Sequence, residues 1–422
     1  MSGERKRALE AILALGDSGP ICPECLGRTF AKRGKGLTNE ARGRALRLLL
    51  ALDGREERPG VCWICQDAFR TLDRWVDEAA ERVGGIEFST YLFGARLSAR
   101  LAEMESFVNE RFGIGTAESM KHSFNRALGL RFDERFPETT VAFKNPDVSF
   151  LVDLESETLS VHVASIYLLG RYRKLARGIP QTKWPCRRCR GRGCDVCGGT
   201  GLQYQESVEG WIASAFVEAS QADGARFHGA GREDIDARML GSGRPFVLEL
   251  LSPKRRSLDL VMLSQEANRR AAGRVETTPL VPVDRAMVER VKETKARKRY
   301  RALVSFEQEI SESLLGDAIR FLAGTISQRT PQRVAHRRSD KVRMRRLFEI
   351  TGRLLSPREA ELELETEGGL YVKELVSGDD GRSEPSLSGR LGVQARVTEL
   401  DVLHVDWSGD EPGVMDLPQA QL

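Results

Sequence analysis

In the stretch Gly231-Arg232-Glu233-Asp234 an aspartate stands two residues from a guanidinium. The stretch comes after a turn-prone run from Gly224 to Gly231. Downstream, Phe246-Val247-Leu248-Glu249-Leu250 favours a strand, and Gly241-Ser242-Gly243-Arg244-Pro245 reads as a second turn before it. A carboxylate is thus presented in a loop, beside an arginine, with a strand anchoring the residues after it. A carboxylate so held stays ionised and oriented, which suits a nucleophile or a base. On composition alone the same residues also describe a surface turn with an ordinary ion pair.

The second chemistry-bearing set is sulfur. The eight cysteines fall into four Cys-x-x-Cys pairs with none left over: Cys22/Cys25, Cys62/Cys65, Cys186/Cys189 and Cys194/Cys197. In a chain of this length without a secretory-type start, paired knuckles point to zinc rather than disulfides. Cys22, Cys25, Cys62 and Cys65 supply four thiolates to one closed, tetrahedral structural site. The alternatives are buried reduced thiols or a redox pair. Cys186, Cys189, Cys194 and Cys197 form a compact, glycine-rich quartet, for which one ion held by all four is feasible but tight. The expectation is one or two structural zinc ions. Pro185-Cys186-x-x-Cys189 matches half of the zinc-deaminase pattern. None of the five histidines is followed two residues later by glutamate, so that chemistry lacks its third ligand and its acid/base.

The net charge is only +4, so any polyanion partner must be met by local clusters. Arg187, Arg188, Arg190 and Arg192 crowd the second knuckle. Five basic residues lie between Arg171 and Lys183, and Lys254-Arg255-Arg256 is a further patch. Gln328 to Leu347 carries eight arginines and lysines, relieved only by Asp340. Tyr300 sits among Lys298, Arg299 and Arg301; an aromatic inside a basic run suits stacking on a base beside a phosphate. It fits equally a half-buried strand tyrosine on a charged edge. No apolar run is long enough to span a membrane, and the start, MSGERKRALEAILALG, reads as a helix of the mature protein, so the expected compartment is the cytoplasm.

The elements that must position these residues are mixed. Helical spacing predicts Thr38 to Leu52, capped by Thr38 or Asn39, then Asp67 to Gly84 with Phe69, Leu72, Trp75, Val76 and Ala79 as its apolar stripe, and Ala99 to Phe112. Strands are expected at Glu87 to Leu97, Val141 to Phe143, Val148 to Asp153 and Leu159 to Ile166. Further on, helices are expected at Trp211 to Ala219 and Glu307 to Leu322, and a final strand at Val393 to Val405. Gly113-Ile114-Gly115 lacks the third glycine and the context of a dinucleotide fingerprint.

The segment GREDxDxRxLGxGRPFxxE resembles the catalytic segment of archaeal-type tRNA pseudouridine synthases of the Pus-ten family, a diverged form of the GRTDxG segment of other pseudouridine synthases. Aligning GRED with GRTD places the catalytic aspartate at Asp234, not Asp236. QRTPxRVxHRR resembles the same family. Gly368 to Leu375 looks like the GxYxR/K strand shared by pseudouridine synthases. The resemblance implies that Tyr300 stacks on the target uracil and that Tyr371 lines the pocket. It implies that Lys373 pairs with the nucleophile, as a lysine where other branches have arginine, so that bidentate pairing is lost. It places Leu400 beneath the target base, and gives Arg232 the place of the flipped nucleotide or a bracing role. The implied α+β architecture is a zinc-binding region at 1–66, a THUMP-like RNA-binding domain at 67–183, a compact four-cysteine knuckle and linker at 184–203, and a mixed-sheet pseudouridine synthase domain at 204–422. The implied activity is isomerisation of uridines 54 and 55 in the TΨC arm of tRNA, a redox-neutral reaction for which no organic cofactor is expected; no protein partner is implied. A non-catalytic, zinc-dependent RNA-binding protein is the alternative; it needs the arginines but not a convergence of Asp234, Tyr300, Tyr371 and Lys373. A THUMP-bearing thiolase or methyltransferase would need a nucleotide-binding glycine loop, which is not found.

Overall fold

The computed structural model describes residues 3–34, 36–112, 117–293, 296–337 and 339–407; Gly113-Ile114-Gly115, Arg338 and the tail beyond Trp407 lie outside the described residues. The chain divides into two compact units, Met1–Ala164 and Ser165–Leu422.

In the first unit the helices Gly3–Asp17, Pro23–Thr29 and Asn39–Leu52 gather the first two Cys-x-x-Cys pairs. Thr38 caps the third helix through the Ala41 amide, one of the two caps its sequence offers. The helices Pro23–Thr29 and Asn39–Leu52 cross in direct backbone contact. A Cβ on Gly27 would sit 1.8 Å from the Asn39 carbonyl oxygen, and one on Gly43 would sit 1.8 Å from that of Pro23. Beyond them lies a four-stranded sheet of β1 (Thr90–Arg96), β2 (Thr140–Val141), β3 (Val148–Asp153) and β4 (Thr158–Val163), in the order β2-β1-β3-β4. The helix Leu72–Arg82 buries Leu72, Trp75, Val76 and Ala79, the stripe its spacing predicts. Phe132, from the helix Met120–Arg135, packs among Tyr91, Phe93, Phe136 and Phe150 at the centre of this core.

The second unit is built on a sheet of eleven strands among the described residues. Its members are β5 (Ile166–Lys174), β6 (Gly224–Gly229), β7 (Arg238–Leu251), β8 (Val275–Thr277), β9 (Val281–Val283), β10 (Lys298–Phe306), β11 (Gly324–Arg329), β12 (Val342–Ser356), β13 (Glu359–Thr366), β14 (Ser383–Glu384) and β15 (Ala395–Val405). The order is β14-β11-β12-β13-β10-β15-β7-β5-β8, with β6 on β7 and β9 on β5. Most neighbours are antiparallel. The join between β15 and β7 is parallel and short, pairing Asp401 with Arg238 and Val402 with Met239. β10 alternates as a half-buried strand should, turning Tyr300, Ala302, Val304 and Phe306 into the core.

Three expectations need correction, besides the run from Gly224 to Gly231, which reads as turn-prone and is strand β6 as far as Gly229. The strand expected at Leu159 to Ile166 ends at Val163, and Ile166 opens β5, which pairs along its length with β7. The break at 164/165 therefore puts β5 with the second unit, not with the accessory domain expected at 67–183. Its basic residues are internal: Arg173 pairs with Glu276 at 2.5 Å, Arg171 donates to the Gly243 carbonyl, and Lys174 is fully buried. Second, the turn expected at Gly241 to Pro245 is a bend inside continuous β7. Gly241, at φ +58°, lies so close to β15 that a Cβ would meet the Leu403 oxygen at 1.9 Å. Third, Gly368 to Leu375 is not a strand. β13 stops at Thr366, Gly369 turns the chain at φ +93°, and Val372–Ser377 is a short helix with Tyr371 at its N-cap.

Candidate active site

The loop between Gly229 of β6 and Arg238 of β7 carries GRED, and it is pinned from behind by buried charges. Glu233 accepts from Arg244 Nε at 2.9 Å and from the Tyr172 hydroxyl at 2.9 and 3.0 Å; both ionic side chains are 1 % exposed. Burial works against the Arg244 charge, and the Glu233 carboxylate outweighs it, so the guanidinium is held above its ordinary range. Gln181 donates to both the Tyr172 hydroxyl and the Gly231 carbonyl. Lys174 Nζ donates to the carbonyls of Ile179, Asp234 and Ile235 at 2.9, 2.9 and 3.1 Å. Burial pulls Lys174 down to about 8, against the opposing pull of Glu233. The backbone under Asp234 is thereby fixed while its carboxylate stays 30 % exposed.

That carboxylate meets Arg333, whose Nη1 lies 3.0 Å from Oδ1 and 2.9 Å from Oδ2. Arg333 comes from the short 3-10 helix Gln332–Arg337 after β11. Its other edge is held by buried Glu374, with Nε at 2.5 Å from Oε1 and Nη2 at 3.4 Å from Oε2. Burial works to lower the Arg333 pKa, and Glu374 and then Asp234 raise it on balance. Lys373 lies 3.7 Å from Asp234 but donates to Asp236 at 2.6 and 2.9 Å. Burial would raise the Asp236 carboxyl; the Lys373 contact outweighs it and holds the group below the usual carboxylate range. Lys373 thus sits between the two aspartates, nearer to Asp236, and the closest basic partner of Asp234 is Arg333. The sequence shows Arg333 as a member of a basic run and of the QRTPxRVxHRR segment; nothing local marks it as an aspartate partner. Glu233 and Arg244 stand in the GRED and GRPF parts of one motif and Glu374 follows Lys373, but only the fold shows what each of them pairs with.

Asp234, Tyr300, Tyr371, Lys373, Arg232 and Leu400 all line one cleft of about 420 Å³. Such a volume falls within the usual range for small-ligand pockets. Tyr300 arrives on β10 and Leu400 on β15, two strands paired along their length. Tyr371 is placed by Gln328, whose side chain accepts from the Tyr371 amide at 2.8 Å and donates to its carbonyl at 3.0 Å. Burial pushes Tyr300 up to about 12, so its hydroxyl keeps its proton at neutral pH. Burial, with the nearby Arg244 charge, pulls Lys298 down to about 7. Exposed Arg232 lies over the Trp184 ring, 5.8 Å from guanidinium carbon to ring centroid.

Both cysteine quartets close. In each, one sulfur per residue falls within 4.8 Å of the other three. Among these sulfurs the separations are 3.6 Å for Cys22–Cys65, 3.9 Å for Cys186–Cys194 and Cys189–Cys197, and 3.7 Å for Cys194–Cys197. A tetrahedral ion with metal–sulfur bonds of about 2.3 Å places its ligands about 3.8 Å apart, so both quartets fit a four-thiolate metal ion. Backbone amides complete them: Cys22 N donates to Cys62 Sγ at 3.3 Å, and Cys194 N and Gly201 N each donate to Cys197 Sγ at 3.2 Å. No described helix is long and apolar enough to cross a membrane.

Residues 167–406 match the family model described as Pus10, C-terminal, and residues 75–153 match Pus10 THUMP domain, archaeal. A protein of Halorubrum lacusprofundi named tRNA pseudouridine synthase Pus10 is 46% identical over 417 residues, 96% of this chain and 97% of its own. Its namesake in Methanothrix thermoacetophila is 43% identical over 92% of each chain, and that of Pyrococcus furiosus 39% over 92% of this chain and 96% of its own. Among solved structures, a chain from a Cbf5-Nop10-Gar1 complex aligns with 56% of this chain and 48% of its own, at 15% identity and a TM-score of 0.31.

Proposed function

Because the chain belongs to the Pus10 family and is a tRNA pseudouridine synthase, we propose that it isomerises uridines 54 and 55 of the TΨC arm, with Asp234 as the catalytic carboxylate. The observation that carries this reading is the meeting of Asp234, Tyr300, Tyr371, Lys373 and Leu400 in one cleft. A pure RNA binder has no use for that convergence.

The reaction breaks the bond from ribose C1′ to uracil N1, turns the ring, and joins C1′ to C5; the C5 proton leaves to water and N1, freed of its bond to C1′, takes up a proton. Nothing is oxidised or reduced. A uracil inside a folded arm is out of reach until it leaves the stack. In the cleft, Asp234 acts on the ribose. Both available routes, addition at C1′ and proton removal at C2′, need an aimed carboxylate. Arg333 does the aiming through one nitrogen shared by both oxygens, and Glu374 fixes Arg333 from the far side. Tyr300, kept protonated, offers a ring face rather than a base, and Leu400 and Tyr371 supply further walls. Arg232, which lines the cleft and lies over Trp184, would take the place of the extruded nucleotide or brace the loop. Each cysteine quartet would hold one zinc ion, which braces the surrounding loops and takes no part in the chemistry.

The test is tritium release from [5-³H]uridine-labelled tRNA, run beside a binding assay. Asp234→Ala and Asp234→Asn are expected to bind tRNA as wild type does and to make no pseudouridine. Asp236→Asn is expected to stay active. Activity that survives in the Asp234 variants, or vanishes only with Asp236, overturns the assignment.

A further inference from the structure

The second cysteine knuckle carries Arg187, Arg188, Arg190 and Arg192 within six residues, all exposed. From Trp184 to Gly201 the only acidic residue is Asp195, which pairs loosely with Arg188 at 3.3 Å. The guanidinium groups of Arg187 and Arg190 have no ionic or hydrogen-bond partner among the described residues, and that of Arg192 donates only to the Cys189 carbonyl. Several arginines elsewhere in this unit are neutralised within the protein: Arg173, Arg301, Arg329 and Arg333 are each held by a carboxylate. The knuckle arginines do not serve the thiolates either. The described nitrogen donors to these sulfurs are backbone amides, with no guanidinium nitrogen among them.

The loop that presents them is stiff. A Cβ on Gly193 would meet the Gly199 oxygen at 2.6 Å, and one on Gly201 would meet the Gly191 oxygen at 2.4 Å, so the backbone is folded tightly on itself and the long side chains are left outside. The knuckle also adjoins the cleft. Its stem closes through the bridge between Pro185 and Leu202, and the preceding Trp184 lies under Arg232, a cleft residue. Gln181, three residues before Trp184, lines the cleft itself.

We propose that this knuckle is an RNA-contacting face of the catalytic unit: Arg187, Arg190 and Arg192 grip the phosphodiester backbone of the tRNA strand leading into the cleft. The proposal rests on the tRNA substrate assigned above. Unpaired guanidinium groups on a stiff support match phosphate geometry, and ordering them costs little because the loop is already fixed. They fix the position of the RNA and read no sequence.

The experiment compares tRNA affinity at 50 and 200 mM salt for wild type and for Arg187→Gln/Arg190→Gln/Arg192→Gln, by fluorescence anisotropy with full-length protein. Each lost phosphate contact removes about 0.7–0.9 from the slope of log affinity against log salt. Over this fourfold range the triple variant should therefore lose roughly 20- to 40-fold less affinity than wild type does. The corresponding Arg→Lys triple variant should restore the wild-type salt response. Arg190 sits inside the turn at φ +53°, so Arg187→Gln/Arg192→Gln reads the same quantity with that turn untouched, with roughly a 7- to 12-fold difference. Native mass spectrometry reports whether the metal content, and hence the knuckle, is intact. A wild-type salt response in the double variant, with metal retained, overturns the proposal and marks these arginines as a solvated face. An enzyme that binds tRNA with the expected salt response but makes no pseudouridine would sink the functional reading and leave this one standing.

Discussion

Two carboxylates, Asp234 and Glu374, share the guanidinium of Arg333, and only Asp234 opens to the cleft. Glu374 is therefore a positioning residue. Glu374→Gln should free Arg333 to rotate and should lower kcat by roughly 100-fold, the scale of a small misplacement of a reacting group, while KM changes little. Arg333→Lys should act in the same direction, since an ammonium cannot span both carboxylates as the planar fork does. Single-turnover rates measured beside tRNA affinity separate these effects; a loss confined to affinity would mean that Arg333 serves only phosphate. Lys298 gives a pH dependence. Held at about 7 by burial, it is cationic below that pH and neutral above it. A polyanion favours the protonated form, so tRNA binding takes up a proton and affinity should fall as pH rises through 7 to 8. Lys298→Arg, charged throughout, should flatten that fall in the same titration. An identical profile in both proteins would place the proton uptake elsewhere.

At the scale of elements, the bend in β7 is the sharpest dependence. Gly241→Ala would place a methyl group against the Leu403 oxygen at a left-handed backbone position. Strain of about 1–3 kcal/mol is expected before any shift of β15 is counted. Thermal unfolding should show a lowered midpoint, and activity should fall with it, because Leu400 and Val402 of the displaced strand line the cleft. This bend also shows how far the sequence could be read. The glycines and Pro245 announce a turn, and local signals cannot tell a turn from a strand bent around its neighbour. Strands such as β3, and helices with an apolar stripe, such as Leu72–Arg82, were legible because periodicity alone decides them, whereas β10 was visible only as one of two contexts for Tyr300. The segment around Tyr371 was not: two glycines and a Tyr-Val pair fit a strand, whereas Gly369 turns the chain and the Gln328 side chain, 43 residues away, holds the Tyr371 backbone at the helix start. The cleft residues were legible by motif and their pairing was not, since Lys373 lies nearer to Asp236 than to Asp234. Pairing is a property of distance, which motifs do not carry.

On the whole-molecule scale, the chain should carry two metal ions, one in each unit. Native mass spectrometry should show Cys62→Ser losing one ion and keeping the other; a folded wild-type protein without metal would contradict this. Affinity for tRNA should also fall with salt, but less steeply than the basic runs suggest. Arg329 is taken by Asp340, Arg333 by Asp234 and Glu374, and Arg345 by Glu367, so part of that run is already neutralised within the protein. The Glu233–Arg244 pair behind the catalytic loop has a different consequence, for heredity. Both side chains are almost wholly buried, so losing either one strands its partner's charge, at a cost of about 3–5 kcal/mol. Replacing both together by apolar residues of similar volume can be nearly neutral. The glutamate of GRED and the arginine eleven positions later are thus a single inherited character: lineages can keep both or exchange both, and the intermediates with only one are the forms that selection removes.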